Sequence, residues 1–238
     1  MPTHRIGLVG AATRVCTTVV IASGILLGVL STAAGAGAVS AQAKKHLLVL
    51  SDMPKGWSTE KGTNNNSGSN NFPGAKQLAG CIGVPVSLIT SNPPQANSPY
   101  FENKSGSLEV QDTVSVFPSA KNAQAQYRAI DNAKTPSCVA SIMNTGTYKS
   151  QIAAAAGEGT EIGTITVTEA SPANFASNTA GFTLNIPFTS QGVNVTAMIT
   201  AVYFVKGKLG QQITFNSYGT TFPASISKHV TSEAQGLL

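Results

Sequence analysis

GFTLNIPFTSQGVNVTAMITAVYFVKGKLGQQITFNS, residues 181–217, is the stretch on which the fold turns. In its first run Phe182, Leu184, Ile186 and Phe188 alternate with polar residues or Pro187, the period-2 pattern of a strand with one buried face. The next run, NVTAMITAVYFV, is apolar on both faces and reads as a central strand. Lys206-Gly207 then turns the chain into KLGQQITFNS. Short turns between such runs imply an antiparallel meander.

Upstream, SLEVQDTVSVF (107–117) is a further strand, with Leu108, Val110, Val114 and Val116 on one face and Glu109, Gln111, Thr113 and Ser115 on the other. Asp112 interrupts the apolar face. A carboxylate there either lines a cavity or sits at a bulge or wet sheet end, because an unpartnered one in a dry core is costly. PSAKNAQAQYRAIDNA (118–133) is an amphipathic helix with Ala120, Ala123, Tyr127 and Ile130 as its stripe. SCVASIM starts a second helix, QIAAAAG (151–157) is a short one, and TEIGTITVTEA is another strand. FPASISKHVTSEAQGLL closes the chain as a helix with Ile226, Val230, Ala234 and Leu237 on one face. Strands and helices are segregated, so the class is α+β: a twisted antiparallel sheet of about five to six strands with helices packed on it.

The amino-terminal part has a different character. A basic start with Arg5 and Arg14, an apolar middle and a run of small residues ending Ala41-Gln42-Ala43 are the marks of a secretory signal over residues 1–43, cleaved near Ala43. The rival reading keeps Val15 to Val39 as an uncleaved anchor. Cys16 precedes the apolar segment, so it is not a lipidation site and leaves with the signal. Residues 44–238 then form one domain, and no later stretch is long and apolar enough to span a membrane. Losing Arg5 and Arg14 lowers the net charge from +5 to +3. The remaining charges are scattered and not interleaved with aromatics, which argues against a nucleic-acid partner.

Cys81 and Cys138 are the two cysteines left after the signal. Neither lies in C-x-x-C, and a zinc site would need more ligands than His46 and His229 add. In an oxidising compartment the default is a disulfide between them. SDMPKGWS (51–58) reverses the chain at Pro54 and Gly56 and delivers Trp57 inward, as a core anchor or a ligand-stacking ring. GTNNNSGSNNFPG (62–74) is polar and aperiodic, a mobile loop. VPVSLITSNPPQANSP reads as an irregular connection.

The order LLVLSDMPKGW, CIG, SPYF, VSVFPSA and TPSC resembles an actinobacterial, largely mycobacterial family. It includes the extracellular sensor domain of the receptor kinase PknH and secreted or lipid-anchored relatives. The resemblance runs from about Leu47 to the C-terminus. It implies a twisted antiparallel sheet with a helix-flanked cleft, and a cysteine joining the region after Trp57 to the helix after the strand, which matches Cys81 and Cys138. The kinase sensor's second disulfide has no counterpart in this chain, and no kinase follows residue 238, so direct signalling is not expected.

Three functions stand against each other. The first is a non-catalytic binding or sensing module of the cell envelope, taking a small molecule, lipid or glycan in a cleft lined by Trp57, Asp112 and Tyr203. The second is an envelope hydrolase working through carboxylates, since G-x-S-x-G is absent and the histidines lie at the N-terminus and on the last helix. The third is a structural module contacting another envelope protein through the Asn-rich loop. No cofactor is implied, because P-loop, dinucleotide, EF-hand and zinc signatures are all missing.

Overall fold

The computed structural model describes residues 41–60 and 74–238. The expected signal (1–43) and Asn-rich loop (62–74) lie outside the described residues, apart from 41–43 and Gly74. Among the described residues the strands are β1 (Trp57–Thr59), β2 (Gln95–Asn97), β3 (Phe101–Asn103), β4 (Leu108–Val116), β5 (Thr160–Ile162), β6 (Thr166–Glu169), β7 (Ala180–Ser190), β8 (Val193–Lys206) and β9 (Leu209–Tyr218). They pair antiparallel in one sheet of order β1-β3-β4-β9-β8-β7-β5, with β2 beside β4 and β6 beside β7. The helices are α1 (Ala75–Ile82), α2 (Val86–Ile89), α3 (Ala120–Ile130), α4 (Thr135–Met143), α5 (Gly146–Ala156) and α6 (Ala224–Leu237).

The class is α+β, as the segregated pattern implies. The described sheet has nine strands rather than five or six, because β1, β2, β3, β5 and β6 are only three or four residues long, too short to show a period of two. TEIGTITVTEA is cut into β5 and β6 by a side chain from another element. The Asn144 amide accepts from the Ile165 N–H at 3.0 Å and donates to its carbonyl at 2.7 Å, taking the place of a strand partner. The connection expected to be irregular holds α2 and β2. The central meander is as the alternation dictates: β8 lies between β7 and β9, and Gly207, at φ 59°, forms part of the tight turn joining β8 to β9.

Each sheet face is apolar over a different half, and each apolar half has its own cover. On the helix face, Phe182, Leu184, Ile186 and Phe188 of β7 and Ala197, Ile199, Ala201 and Tyr203 of β8 pack under α1, α3, α4 and α5. On the opposite face, Phe101, Val110, Ile213 and Phe215 pack under Leu48 and Met53 of the amino-terminal strap and under Val230 and Ala234 of α6. Ala43, fully buried, extends this second core against Ala96, Val114, Val116 and Leu209. The strap carries a helical turn at 41–44 and a 3-10 turn at Leu50–Asp52, the latter closed by the Val49 N–H donating to Asp52 Oδ2 at 2.8 Å. We call this second side the strap face.

Cys81 of α1 and Cys138 of α4 are joined, with Cα atoms 5.9 Å apart. The bond fastens α1 to the helix layer that covers β7 and β8. On α3 the buried positions are Ala123, Gln126, Ala129 and Ile130, while Ala120 is exposed and Tyr127 half-buried. The stripe expected from periodicity is therefore rotated: polar Gln126 takes the inward position assigned to Tyr127. On α6 Val230 and Ala234 are buried, as expected.

Candidate functional site

The three residues expected to line a cleft are not brought together. Trp57 lies on the strap face, half-buried, its ring 6.2 Å from that of Phe222, which stacks edge-on to Phe215 at 4.9 Å. It anchors an aromatic cluster at the margin of that core. Asp112 is on the same face and fully buried. Tyr203 points from the other face, since it pairs with Gln212, whereas Asp112 pairs with Ile213.

Asp112 sits at no wet end but in mid-strand under the strap, in unbroken register with β9 and beside a bulge in the neighbouring chain, where two residues between β2 and β3 stand opposite Gln111. Its Oδ2 accepts from the Leu48 N–H at 2.8 Å and from Gln211 Nε2 at 2.9 Å, and the same Gln211 amide donates to the His46 carbonyl at 3.3 Å. His46 Nδ1 in turn meets the Leu237 carbonyl at the end of α6. This network docks the strap backbone, which has no strand partner at that point. Burial pushes the Asp112 carboxyl up to about 7, against the hydrogen bonds from Leu48 and Gln211 that favour its charged form. Asp112 therefore holds an element in place.

Tyr203 leans over Gly210, whose position admits no side chain: a Cβ there would lie 2.1 Å from Tyr203 Oη and 2.8 Å from Phe117 Cε2. Burial pushes the Tyr203 hydroxyl upward, and that hydroxyl has no hydrogen-bond partner in the structure.

Register brings a different set of residues together. On the helix face, the half of the sheet beyond β8 is polar. Cross-strand partners share a face, so Glu109 stands with Asn216, Gln111 with Thr214, Thr113 with Gln212, and Gln95 with Ser115. Gln95, Asn97, Gln111, Thr113, Ser115 and Gln212 are half-exposed, whereas Glu109, Thr214 and Asn216 are buried. The strip is reachable along most of its length and deepens at one end. The helix layer rises beside it, with α3 over β8 and β9.

The deep end is where the electrostatics are perturbed. Glu109 Oε2 accepts from the Tyr218 hydroxyl at 3.2 Å and from Asn216 Nδ2 at 3.4 Å. Burial pushes its carboxyl up to about 7, the bonds to Asn216 and Tyr218 oppose this, and the nearby Glu60 and Glu102 carboxylates add to it. Burial also raises the Tyr100 hydroxyl, helped by Glu109 and Glu60. A carboxyl that changes charge near neutrality, in a polar recess with two more acids, is the kind of group functional sites are built around. Among the described residues no cluster of His, Cys, Asp and Glu is arranged to hold a metal.

The sequence carried a signal for this strip. LEVQDTVSV and GQQITFNS each bear a row of polar residues, uncharged except for Glu109, opposite their apolar row, but only the β4–β9 register sets the rows side by side.

Neither a protein-family model nor a curated protein matches the chain. Among solved structures, it is similar to the crystal structure of the extracellular domain of PknH from Mycobacterium tuberculosis, at 10% identity and a TM-score of 0.38, covering 83% of this chain and 96% of that one.

Proposed function

We propose that this chain is an exported, non-catalytic binding module of the cell envelope that takes its ligand on the polar strip of the helix face. The observation that carries this reading is the strip itself: half-exposed amides and hydroxyls along β2, β4 and β9, ending in the recessed Glu109. Amides and hydroxyls orient a ligand by donating and accepting without performing chemistry on it. Two further features support the reading. The Cys81–Cys138 bond suits an oxidising compartment. His46 belongs to the strap and His229 is exposed on α6 beside Glu233, so both histidines lie with elements of the opposite face.

A carboxylate hydrolase is the second reading, favoured by Glu109, whose carboxyl titrates near 7 close to Glu60 and Glu102. In that mechanism a protonated acid donates to a leaving group while a second carboxylate assists.

Equilibrium binding of the exported protein to envelope lipid vesicles and to envelope oligosaccharides tests the first reading. Saturable binding, weakened at least tenfold in the double variant Gln111→Arg with Gln212→Arg, is expected. No saturable binding to either material overturns it. Ester and glycoside turnover that disappears in Glu109→Gln would install the second reading instead.

A further inference from the structure

Two oxygens under the strap lack a donor. Asp112 Oδ1 and Gln211 Oε1 are enclosed and receive no hydrogen bond among the described residues, and both side chains are fully buried. The two side chains are already joined through their other polar atoms, Gln211 Nε2 donating to Asp112 Oδ2 at 2.9 Å. Turning the Gln211 amide round does not relieve this. Its Nε2 also donates to the His46 carbonyl at 3.3 Å, so a reversed amide would set an oxygen against both acceptors. The Thr113 N–H acts on the carboxyl from the same strand, yet no bond reaches Oδ1. An ionised Asp112 therefore strands two acceptors in a core, which is costly. A proton on Oδ1 supplies the missing donor, and Gln211 Oε1 is the acceptor that matches it. We propose that a proton latches the strap: neutral Asp112 donates from Oδ1 to Gln211 Oε1 while Oδ2 holds the Leu48 N–H, and loss of that proton frees the strap from the sheet.

The strap is the element that such a change would move. Residues 41–53 pair with no strand, and the Asp112–Gln211 pair ties their backbone to the sheet at Leu48 and at His46. Opening lifts Leu48 and Met53 from Phe101, Val110, Ile213 and Phe215 and admits water to the carboxyl. In water the carboxyl ionises near its ordinary value of about 4, whereas the closed strap keeps it neutral up to about 7. Between those values the open form binds fewer protons, so opening becomes about tenfold easier per pH unit and levels off above 7. Other charges face the pair from few directions. On the strap, Asp52 adds to the hold on the proton, His46 meets the Leu237 carbonyl of α6, and Lys44 and Lys45 are exposed. Leu238, with its carboxylate, packs on this face. Ile213 of β9 and Ser98, whose hydroxyl accepts from the Asp112 N–H at 2.9 Å, do not titrate. The latch lies on the face opposite the polar strip and does not depend on what that strip binds.

Amide hydrogen exchange of the exported protein tests this, each rate taken relative to that of an unstructured chain at the same pH. Protection of the Leu48 N–H is expected to fall about tenfold per unit from pH 4.5 to 6.5 and to level off by pH 8, staying below that of the β9 amides throughout. Asp112→Asn, whose amide donates and accepts like the neutral acid, is expected to flatten this slope. His46→Asn, which keeps a donor for the Leu237 carbonyl, is expected to retain it. Carbon-13 NMR of the aspartate carboxyls reads the proton directly and needs no variant: Asp112 is expected to be neutral at pH 5.5. Four outcomes overturn the proposal: Leu48 protection that does not change with pH, Leu48 exchange at the same rate as the β9 amides, a slope that survives in folded Asp112→Asn, or an ionised Asp112 at pH 5.5.

Discussion

Two buried acids set how this protein responds to pH. Asp112 and Glu109 both titrate near 7 when folded, chiefly because burial disfavours their charge, against ordinary values of about 4 in an unfolded chain. Between those values the folded state holds more protons than the unfolded one, so stability is full below about pH 4 and falls as pH rises through 7. Urea denaturation at pH 5 and pH 8 should therefore show the protein more stable at pH 5, and Asp112→Asn, which keeps an oxygen acceptor for Leu48, should flatten part of that slope. Asp112→Ala removes the acceptor from a buried N–H and should cost about 1–3 kcal/mol at pH 5, where the carboxyl is protonated, and less at pH 8, where the wild type carries a buried charge. Tyr203 and Gly210 make a second test. Gly210→Ala drives a methyl group into Tyr203 Oη and Phe117 and should cost about 1–3 kcal/mol. Tyr203→Phe removes a hydroxyl that has no partner, so it should be neutral or stabilising alone and should recover part of the Gly210→Ala loss. The sequence marks Asp112 as anomalous by its place in an apolar row, but its partners, the Leu48 N–H and Gln211, are 64 and 99 residues away.

The long elements are legible because their periods repeat. β4, β7, β8 and α6 carry several turns or alternations each, and burial follows the pattern. The short strands are defined by what they pair with. Ile165 is kept out of a continuous strand by the Asn144 amide, a contact between separate elements that no local pattern encodes. At this scale the covalent link between α1 and α4 is the feature to test. It closes a loop of 57 residues, so holding the unfolded chain together should be worth about 4 kcal/mol. Cys81→Ser with Cys138→Ser should lower the denaturation midpoint accordingly and leave the circular dichroism of the folded state unchanged. A full loss of helix signal in that variant would mean that the bond is needed to form the helix layer at all.

As a whole, the molecule is one sheet with two cores, offset to opposite faces and opposite halves. β8 contributes Ile199 and Tyr203 to one core and Val202 and Phe204 to the other, so neither core comes apart without exposing the other. Thermal unfolding should therefore be a single transition, and Ile142→Ala in the helix-face core or Val230→Ala in the strap-face core should each lower that same transition. Two separated transitions would show that the cores are independent. The offset also leaves the outer half of each face polar, the strip among them. The sequence by itself determined the class, the meander, the pairing of Cys81 with Cys138 and the inward rows of the long strands, because each follows from local periodicity or from elimination among few residues. Only the tertiary structure decided that Tyr203 points to the face opposite Trp57 and Asp112 and that Glu109 ends a continuous strip. A face is common to several strands only through register, and register is fixed by hydrogen bonds between residues as much as a hundred positions apart.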